Sequence, residues 1–394
     1  MRPAKIIHFH NGSGGGVLSV IRNLLRFSDA AQWENRVIYT INRQTYPEFE
    51  LPRLMGAASE HLFEYYPNWN FHHTARQLAQ LVNDENAILV AHDWLELGMI
   101  STLGLSNRVV MFAHGDYDYY YDLANRHSDA IDRFIAVASP IADGMVAHMP
   151  DRSSDIRYLR FPVPDLVSRN EWTNRHQIIF IGRPTAEKGF PLLAEIDCKL
   201  QRQGLIMNWH LVGVSDDESR RLPWPDTAVV KAYGQLPNDE LTAMLSGMDY
   251  YVLPSRAEGM PVSLIEAMKA GVVPIVNDLP GGIRELVVEG ETGFRIPDND
   301  AGGFAGRIAL LSAEGNLFSH IGQRCIKTAN ELFDPEINTR AVEQVYRELQ
   351  AMPAAGRSAR RVYGSRLDQP WIPNVITRAI RNCSNHSNRR AGAR

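Results

Sequence analysis

The chain has 394 residues and a formal net charge of −4, with 44% hydrophobic and 22% charged residues. That length exceeds one ordinary α/β core and predicts two domains of roughly 150–200 residues each. The slight acidity excludes a general nucleic-acid binder, because no global positive field draws phosphates. Three cysteines, Cys198, Cys325 and Cys383, lie far apart, which predicts a reducing compartment with neither a disulfide framework nor a zinc site. The first apolar run is too short and broken for a signal peptide. No stretch reaches the ~20 apolar residues of a membrane span, so a cytoplasmic location is expected.

In the first half, short apolar runs at 5–9, 34–41, 87–91, 108–113 and 133–138 read as buried strands. Apolar residues at helical spacing fill 15–25 and 73–82 between them. Strand alternating with helix predicts a parallel sheet covered on both faces. The first strand leads into Gly12, Gly14, Gly15 and Gly16, a turn where backbone can approach a ligand closely, or a tight strand-to-helix turn and nothing more. It lacks the Gly-Lys-Ser/Thr ending of a P-loop. His92 and Asp93 follow the run at 87–91, and His114 follows the run at 108–113. His114 can donate to a sugar hydroxyl or a developing phosphate charge, or it is a loop residue bonded to backbone; His92 and Asp93 could shape the acceptor side. Asp116, Asp118 and Asp122 mix loop and helix positions and make no metal cage.

Phe161-Pro-Val-Pro-Asp165 carries two prolines and no periodicity, the mark of an inter-domain linker. The rhythm then restarts with strands at 177–182, 208–214, 228–232, 250–253, 273–276 and 293–296 and helices at 192–201, 239–244, 261–270 and 281–288. A last helix over 335–352 closes the second domain or crosses back to the first. The expected domains are 1–165, 166–335, C-terminal helices over 336–381 returning to the first domain, and a disordered basic tail over 382–394.

The richest segment is Pro254-Ser-Arg-Ala-Glu-Gly-Met-Pro-Val-Ser-Leu-Ile-Glu266. A strand ends at Pro254, a loop carries Glu258 and Gly259, and Pro261 stands where a helix starts, its missing N–H costing nothing there. The free N–H groups of Val262, Ser263 and Leu264 and the helix dipole make a phosphate-sized site. Glu266, a turn further in, can accept from a ribose's hydroxyls, and Glu258 from those of a transferred sugar. Alternatively both are acidic charges complementing the helix start. Arg183 and Lys188 occupy the loop after the strand at 177–182, where fixed positive charge suits a departing diphosphate. The plainer alternative pairs Lys188 with Glu187 or Glu195 on the surface. Gly281, Gly282, Gly290 and Gly293 read chiefly as turns.

From 356 to 394 there are nine arginines and one acidic residue, Asp368. Trp371 and an amphipathic stretch to 381 suit an anionic membrane surface. Alternatively Trp371 and the isoleucines pack on the first domain while the arginines are solvated.

The order of these motifs resembles family 4 of the retaining glycosyltransferases, which have the GT-B fold: two facing Rossmann-like doubly wound domains, an inter-domain cleft and a C-terminal helical crossover. The likeness runs from Gly14-Gly15-Gly16 through Gly182-Arg183, Lys188-Gly189 and Tyr233-Gly234 to Glu258 and Glu266, and ends with Gly281-Gly282, Glu285, Gly290 and Gly293. The resemblance implies transfer of a sugar from a nucleoside diphosphate sugar to a glycan or lipid-linked acceptor with retention of configuration, without bound metal or cofactor. It implies that Glu266 holds the ribose and Glu258 the donor sugar, that Arg183 and Lys188 bind the diphosphate, and that Gly14 and Gly15 bring backbone to the phosphate. Tyr233 and Gly234 would flank the nucleobase. His114, Glu258, Arg183 and Lys188 are the expected catalytic residues, with Gly259, Val262, Ser263 and Leu264 completing the donor site. The resemblance also implies a role in surface-polysaccharide or glycoconjugate synthesis, while peripheral association at the inner face of a membrane is expected from the basic C-terminal segment alone. Two other functions suit the same scaffold: a sugar-nucleotide epimerase and a non-catalytic sugar-nucleotide-binding protein. The sequence departs from the family in Gly14-Gly15-Gly16-Val17, where many members carry a polar residue after a glycine pair, and at Pro184.

Overall fold

The computed structural model describes residues 3–169, 171–172, 175–353 and 356–391, with side chains described as far as residue 384. It divides into two units. Unit 1 comprises Met1–Val137, Ala142–Leu159 and Thr339–Arg394; unit 2 comprises Ala138–Ile141 and Arg160–Asn338.

In unit 1 the elements run β1 (Ala4–His10), α1 (Gly16–Phe27), β2 (Trp33–Asn42), β3 (Ser59–Tyr65), α2 (Phe71–Val82), β4 (Ile88–Ala91), α3 (Trp94–Leu103), β5 (Arg108–Ala113), α4 (Asp118–Arg126), β6 (Arg133–Ala136), α5 (Ser139–His148, its residues up to Ile141 belonging to unit 2) and β7 (Ile156–Tyr158). The seven strands are all parallel, in the order β3-β2-β1-β4-β5-β6-β7. Strands β4 and β5 are buried at every position, as the near-continuous apolar runs of a two-sided parallel sheet require. The direction of strand addition reverses between β1 and β4. That reversal opens a crevice at the strands' carboxyl ends, where doubly wound sheets bind ligands.

Unit 2 holds β8 (Gln177–Ile181), α6 (Leu192–Arg202), β9 (Asn208–Val212), α7 (Asp216–Ser219), β10 (Val229–Ala232), α8 (Asn238–Leu245), β11 (Tyr250–Leu253), α9 (Val262–Ala270), β12 (Val273–Asn277), α10 (Gly282–Leu286), β13 (Phe294–Ile296), α11 (Ala301–Ala313) and α12 (Gly315–Leu332). Its six parallel strands are ordered β10-β9-β8-β11-β12-β13. The reversal here falls between β8 and β11. Near the end of α9 the buried Lys269 ammonium donates to the Val163 carbonyl at 2.7 Å, the Phe333 carbonyl at 3.0 Å and the Asp165 carboxylate at 3.0 Å. Burial lowers its pKa, and the Asp165 charge opposes that shift. One side chain thus ties the expected linker to the end of α12. Sequence alone shows only a basic residue well placed for a helix dipole.

Helix α13 (Pro335–Ala351) carries the chain from unit 2 into unit 1. The segment after it packs on unit 1 through specific charges. The Arg357 guanidinium pairs with Asp132 at 2.5 Å, with both side chains at most 10% exposed. Arg360 pairs with Asp129 at 2.9 Å. Tyr363 sits edge-on to Phe71 and Trp94, over Gly98, where a Cβ would come within 2.7 Å of its ring. Helix α14 spans Asn374–Ala391. The sequence reading ends that helix at 381 and expects disorder beyond it, whereas the backbone stays helical through Ala391; residues 392–394 of the expected tail lie outside the described residues. The alternative in which Trp371 packs inward is not what the structure has, since Trp371 is 74% exposed. The arginines are not simply solvated either, since Arg357, Arg360 and Arg381 all hold carboxylates.

Candidate functional site

The reversal point of unit 2 gathers most of the residues expected to hold a donor. Gly189 has φ 68°, and a Cβ there would lie 1.9 Å from the Pro254 carbonyl oxygen. Only glycine lets the loop after β8 press against the end of β11. The contact brings Lys188 to Glu258, with Nζ 2.7 Å from Oε1 and the two side chains 22% and 9% exposed. Lys188 therefore bridges neither Glu187 nor Glu195.

Helix α9 begins at Val262, one residue later than expected, with Pro261 as its N-cap and Gly271 in the left-handed conformation as its C-cap. The Ile265 N–H makes the first bond back, to the Pro261 carbonyl at 3.4 Å. The N–H groups of Val262, Ser263 and Leu264 thus belong to the unbonded first turn. No acidic residue lies in that turn, so neither glutamate serves as a helix-start charge. Glu258 precedes the helix and Glu266 is buried within it, its Oε1 accepting from the Asn238 side-chain amide at 3.1 Å. Between them the Tyr251 hydroxyl lies 2.8 Å from the Ser263 hydroxyl. Burial raises the Tyr251 pKa, and the charges of Glu258 and Glu266 add to the shift. The phenol therefore stays neutral and can hold the serine in one orientation.

Three glycines close the neighbouring edge. The Gly182 N–H donates to the Val212 carbonyl at 3.0 Å, the Gly213 N–H to the Gly234 carbonyl at 2.6 Å, and the Gly234 N–H to the Val214 carbonyl at 2.8 Å. A Cβ on Gly213 would meet the Gly182 carbonyl at 2.7 Å. The turn bearing Arg183 is thereby stitched through Gly213 to Tyr233-Gly234. Arg183 is exposed. Tyr233 is held by His210, Nδ1 to hydroxyl 2.8 Å, with Lys231 over its ring at 4.7 Å. The Gly282 N–H donates to the Gly259 carbonyl at 3.1 Å, and a Cβ on Gly282 would strike that oxygen at 2.4 Å. Gly282 is therefore a packing glycine that fixes the Glu258 loop. Glu285 accepts from the Ser139 N–H at 2.7 Å within the same unit.

The reversal point of unit 1 forms a cleft of about 190 Å³, whose lining includes His10, Asn11, Ser13, His92, Asp93 and Tyr119. His114 stands behind it, its Nε2 2.8 Å from His92 Nδ1, so His114 is bonded to a histidine rather than to backbone. Burial pushes His114 and His8 down to about 3 and His10 to about 4, and His92 falls well below its ordinary value for the same reason. All four rings are neutral near pH 7. The 2.8 Å contact couples the two tautomers: if His92 donates from Nδ1, His114 accepts at Nε2 and presents an Nδ1–H donor. Asp93 caps α3 in a capping box with Glu96 and also accepts from Asn11 and Tyr119. Burial and the Asp93 charge raise the Glu96 pKa to about 8. Gly15 is the N-cap of α1 at φ 124° and ψ −155°, a conformation open only to glycine. Gly14 and Gly15 are exposed.

Sequence reasoning passed over His10 and Asn11 at the end of β1 and Tyr119 in α4, two segments that only the strand order brings together. It also passed over Asn238, the partner of Glu266. Asp116 accepts from the Tyr121 hydroxyl at 2.5 Å. Among the described residues no three His, Cys, Asp or Glu side chains form a group able to hold a metal.

Comparison with known proteins places this architecture. The chain has the GT-B fold of two Rossmann-like domains. It superimposes on sucrose-phosphate synthase from Thermosynechococcus elongatus with a TM-score of 0.72 at 19% identity, covering 88% of this chain and 99% of that one. It superimposes on Anabaena HepE, solved with UDP-glucose, with a TM-score of 0.68 at 15% identity, covering 87% and 99%. Residues 175–314, which carry the Lys188–Glu258 cluster, match the family described as Glycosyl transferases group 1. Over 147 residues the chain is 36% identical to the Escherichia coli protein bearing the name colanic acid biosynthesis glycosyltransferase WcaL. It is 31% identical over 150 residues to the amylovoran biosynthesis glycosyltransferase AmsK of Erwinia amylovora. Each match spans 34% of this chain and 36% of the relative's length. A longer match, 25% identical over 308 residues, covers 75% of the chain and 70% of a D-inositol 3-phosphate glycosyltransferase of Corynebacterium efficiens.

Proposed function

We propose that this protein is a retaining glycosyltransferase of family 4, moving a sugar from a nucleoside diphosphate sugar to a glycan or lipid-linked acceptor in polysaccharide or glycoconjugate synthesis. The observation that carries the reading is the Lys188–Glu258 pair at 2.7 Å, set at the strand-order reversal of unit 2 and just ahead of the open first turn of α9. It lies inside the segment that matches glycosyltransferases.

The chemistry follows from charge. As the bond from the sugar's anomeric carbon to the diphosphate breaks, the electron pair leaves with the diphosphate. Arg183, Lys188 and the N–H groups of Val262, Ser263 and Leu264 would neutralise that charge in a preorganised site. Glu258 would accept from hydroxyls of the transferred sugar and Glu266 from the ribose, with Asn238 orienting the latter carboxylate. Gly14 and Gly15 would offer backbone to the phosphates, Tyr233 and Gly234 would flank the base, and Gly259 lets the Glu258 loop approach the sugar. A neutral His114, its tautomer set by His92, would donate to a hydroxyl of the reacting sugar. The acceptor hydroxyl bonds to the anomeric carbon as its proton passes to the departing diphosphate. Neither metal nor cofactor enters this scheme. A lipid-linked acceptor would hold the protein at the inner face of a membrane.

The test is incubation with nucleoside diphosphate sugars and an acceptor glycan, with the product's anomeric configuration read by NMR. One nucleoside diphosphate released per sugar transferred, with the donor's configuration kept, supports the proposal. An inverted product would remove retention. Interconversion of the donor sugar without acceptor would instead indicate an epimerase, and tight binding without turnover a non-catalytic binder.

A further inference from the structure

The C-terminal helix of unit 1 is docked the wrong way round for a soluble surface. An amphipathic helix ordinarily turns its apolar stripe to the core. In α14 the polar side faces the unit. Asn374 accepts from the Asn70 N–H at 2.8 Å, and buried Thr377 donates to the Leu367 carbonyl at 3.1 Å. Arg381 holds Asp368 and the Trp69 carbonyl, Arg378 lies over the Trp69 ring, and Asn382 accepts from Asn68 at 2.8 Å. The apolar side looks out. Val375 is 70% exposed, Ile376 48% and Ile380 44%, with Trp371 at 74% just ahead of the helix. Residues 375, 376, 379 and 380 share one helical face, and Ala379 is exposed with them.

We infer that this outward face, with Trp371, seats the protein on an anionic lipid surface. Charge selects the occupant. From 369 to 394 the sequence carries Arg378, Arg381, Arg389, Arg390 and Arg394 and no acidic residue. The nearest acid in sequence, Asp368, is buried, bonded by the Phe71 N–H and neutralised by Arg381, so Arg378, Arg389, Arg390 and Arg394 carry the net positive charge of the segment. Nothing negative on the helix repels anionic headgroups, while a tryptophan beside aliphatic side chains suits the headgroup boundary. A second copy of the chain fits less well. Its identical helix would bring like charges together, and four part-exposed side chains fall short of the roughly 800 Å² per partner of a standard interface.

The inference stands apart from the transferase reading, and its test uses exposed positions of the full chain. Truncation after 356 would be uninformative, because it also strips Arg357, Arg360 and Tyr363 from unit 1. The variant is the triple substitution Trp371→Ser, Val375→Ser and Ile380→Ser, compared with the unaltered chain by co-sedimentation with vesicles. The vesicles are phosphatidylcholine alone or with 30% phosphatidylglycerol, a composition chosen at about the anionic fraction that attracts basic segments. The unaltered chain should bind the anionic vesicles at least tenfold more tightly than the neutral ones, and less in high salt. The triple variant should lose at least tenfold of that binding while its melting temperature stays unchanged. Equal binding by both proteins, or no preference for anionic vesicles, overturns the inference. So does a concentration-dependent dimer that the triple variant abolishes in the absence of vesicle binding.

Discussion

Replacing Lys188 with alanine separates a structural lysine from one that acts on a leaving group. In the folded chain its ammonium lies 2.7 Å from Glu258, with side chains 22% and 9% exposed. That places the pair between an exposed bridge, worth about 0–1 kcal/mol, and a buried one, whose breaking costs about 3–5 kcal/mol. A loss of about 1–3 kcal/mol is expected, because Glu258 keeps a largely desolvated carboxylate without its partner. For a cooperative unit of the size of unit 2 each kcal/mol lowers the melting temperature by roughly 2–4 °C. Catalysis should suffer far more, by about 10²–10³-fold, the usual result of removing one preorganised group from developing charge. The assay is nucleoside diphosphate release, measured well below the melting temperature of both proteins, with Glu258→Gln and the double variant completing a cycle. Direct contact predicts a coupling of about 1–3 kcal/mol in stability. A folded Lys188→Ala protein that turns over within threefold of the unaltered chain would refute the reasoning.

Other outcomes follow from the same geometry. Gly189→Ala should destabilise unit 2 by roughly 1–3 kcal/mol, since alanine at φ 68° is strained and its Cβ meets the Pro254 carbonyl; an unchanged urea midpoint would contradict this. The buried histidines make unit 1 acid-sensitive. The folded pKa values of His8 and His10, about 3 and about 4, lie below the unfolded value of about 6.5, so the unfolded chain takes up protons first as pH falls. The stability that depends on their neutral rings is intact above about 6.5 and declines towards the folded values, at roughly 2 kcal/mol per group between pH 6.5 and 5. Glu96, raised to about 8, acts in the opposite sense, its contribution present at low pH and lost as pH rises through about 8. The histidines outnumber it, so denaturant titration should show unit 1 weaker at pH 5 than at pH 7, and equal midpoints would refute the account. His92→Phe preserves a ring but removes the partner of His114 Nε2, and transfer should fall by roughly 10²-fold. Retention of full activity would remove the histidine pair from the chemistry.

The strands and their alternation with helices were legible because buried parallel strands leave apolar runs that few other elements produce. Strand β3 was not legible, since an edge strand reading Ser-Glu-His-Leu-Phe-Glu-Tyr, buried at only two of seven positions, leaves almost no run. Helix α3 was missed for the opposite reason. It is buried nearly all round and has no polar face to set a period, although the Asp93 and Glu96 capping box was a readable start signal. Helices α11 and α12 also escaped, the first with its weakly amphipathic, glycine-bearing start. In the candidate site, Lys188 and Glu258 could be named from their loops and Glu266 from the helix that follows, but not the Lys188–Glu258 pairing, which depends on a glycine letting the loop after β8 touch the end of β11. The four-histidine cluster depends likewise on β1, β4 and β5 lying side by side, and strand order leaves no mark in local sequence.

Calorimetric titration with a panel of nucleoside diphosphate sugars tests the central claim most directly, with the unaltered chain, Lys188→Ala and Glu266→Gln in parallel. The account predicts that the unaltered chain binds one class of donor and that each substitution weakens that binding at least tenfold without unfolding the protein. Binding of equal strength in all three proteins, or no binding by the unaltered chain to any member of the panel, would contradict it.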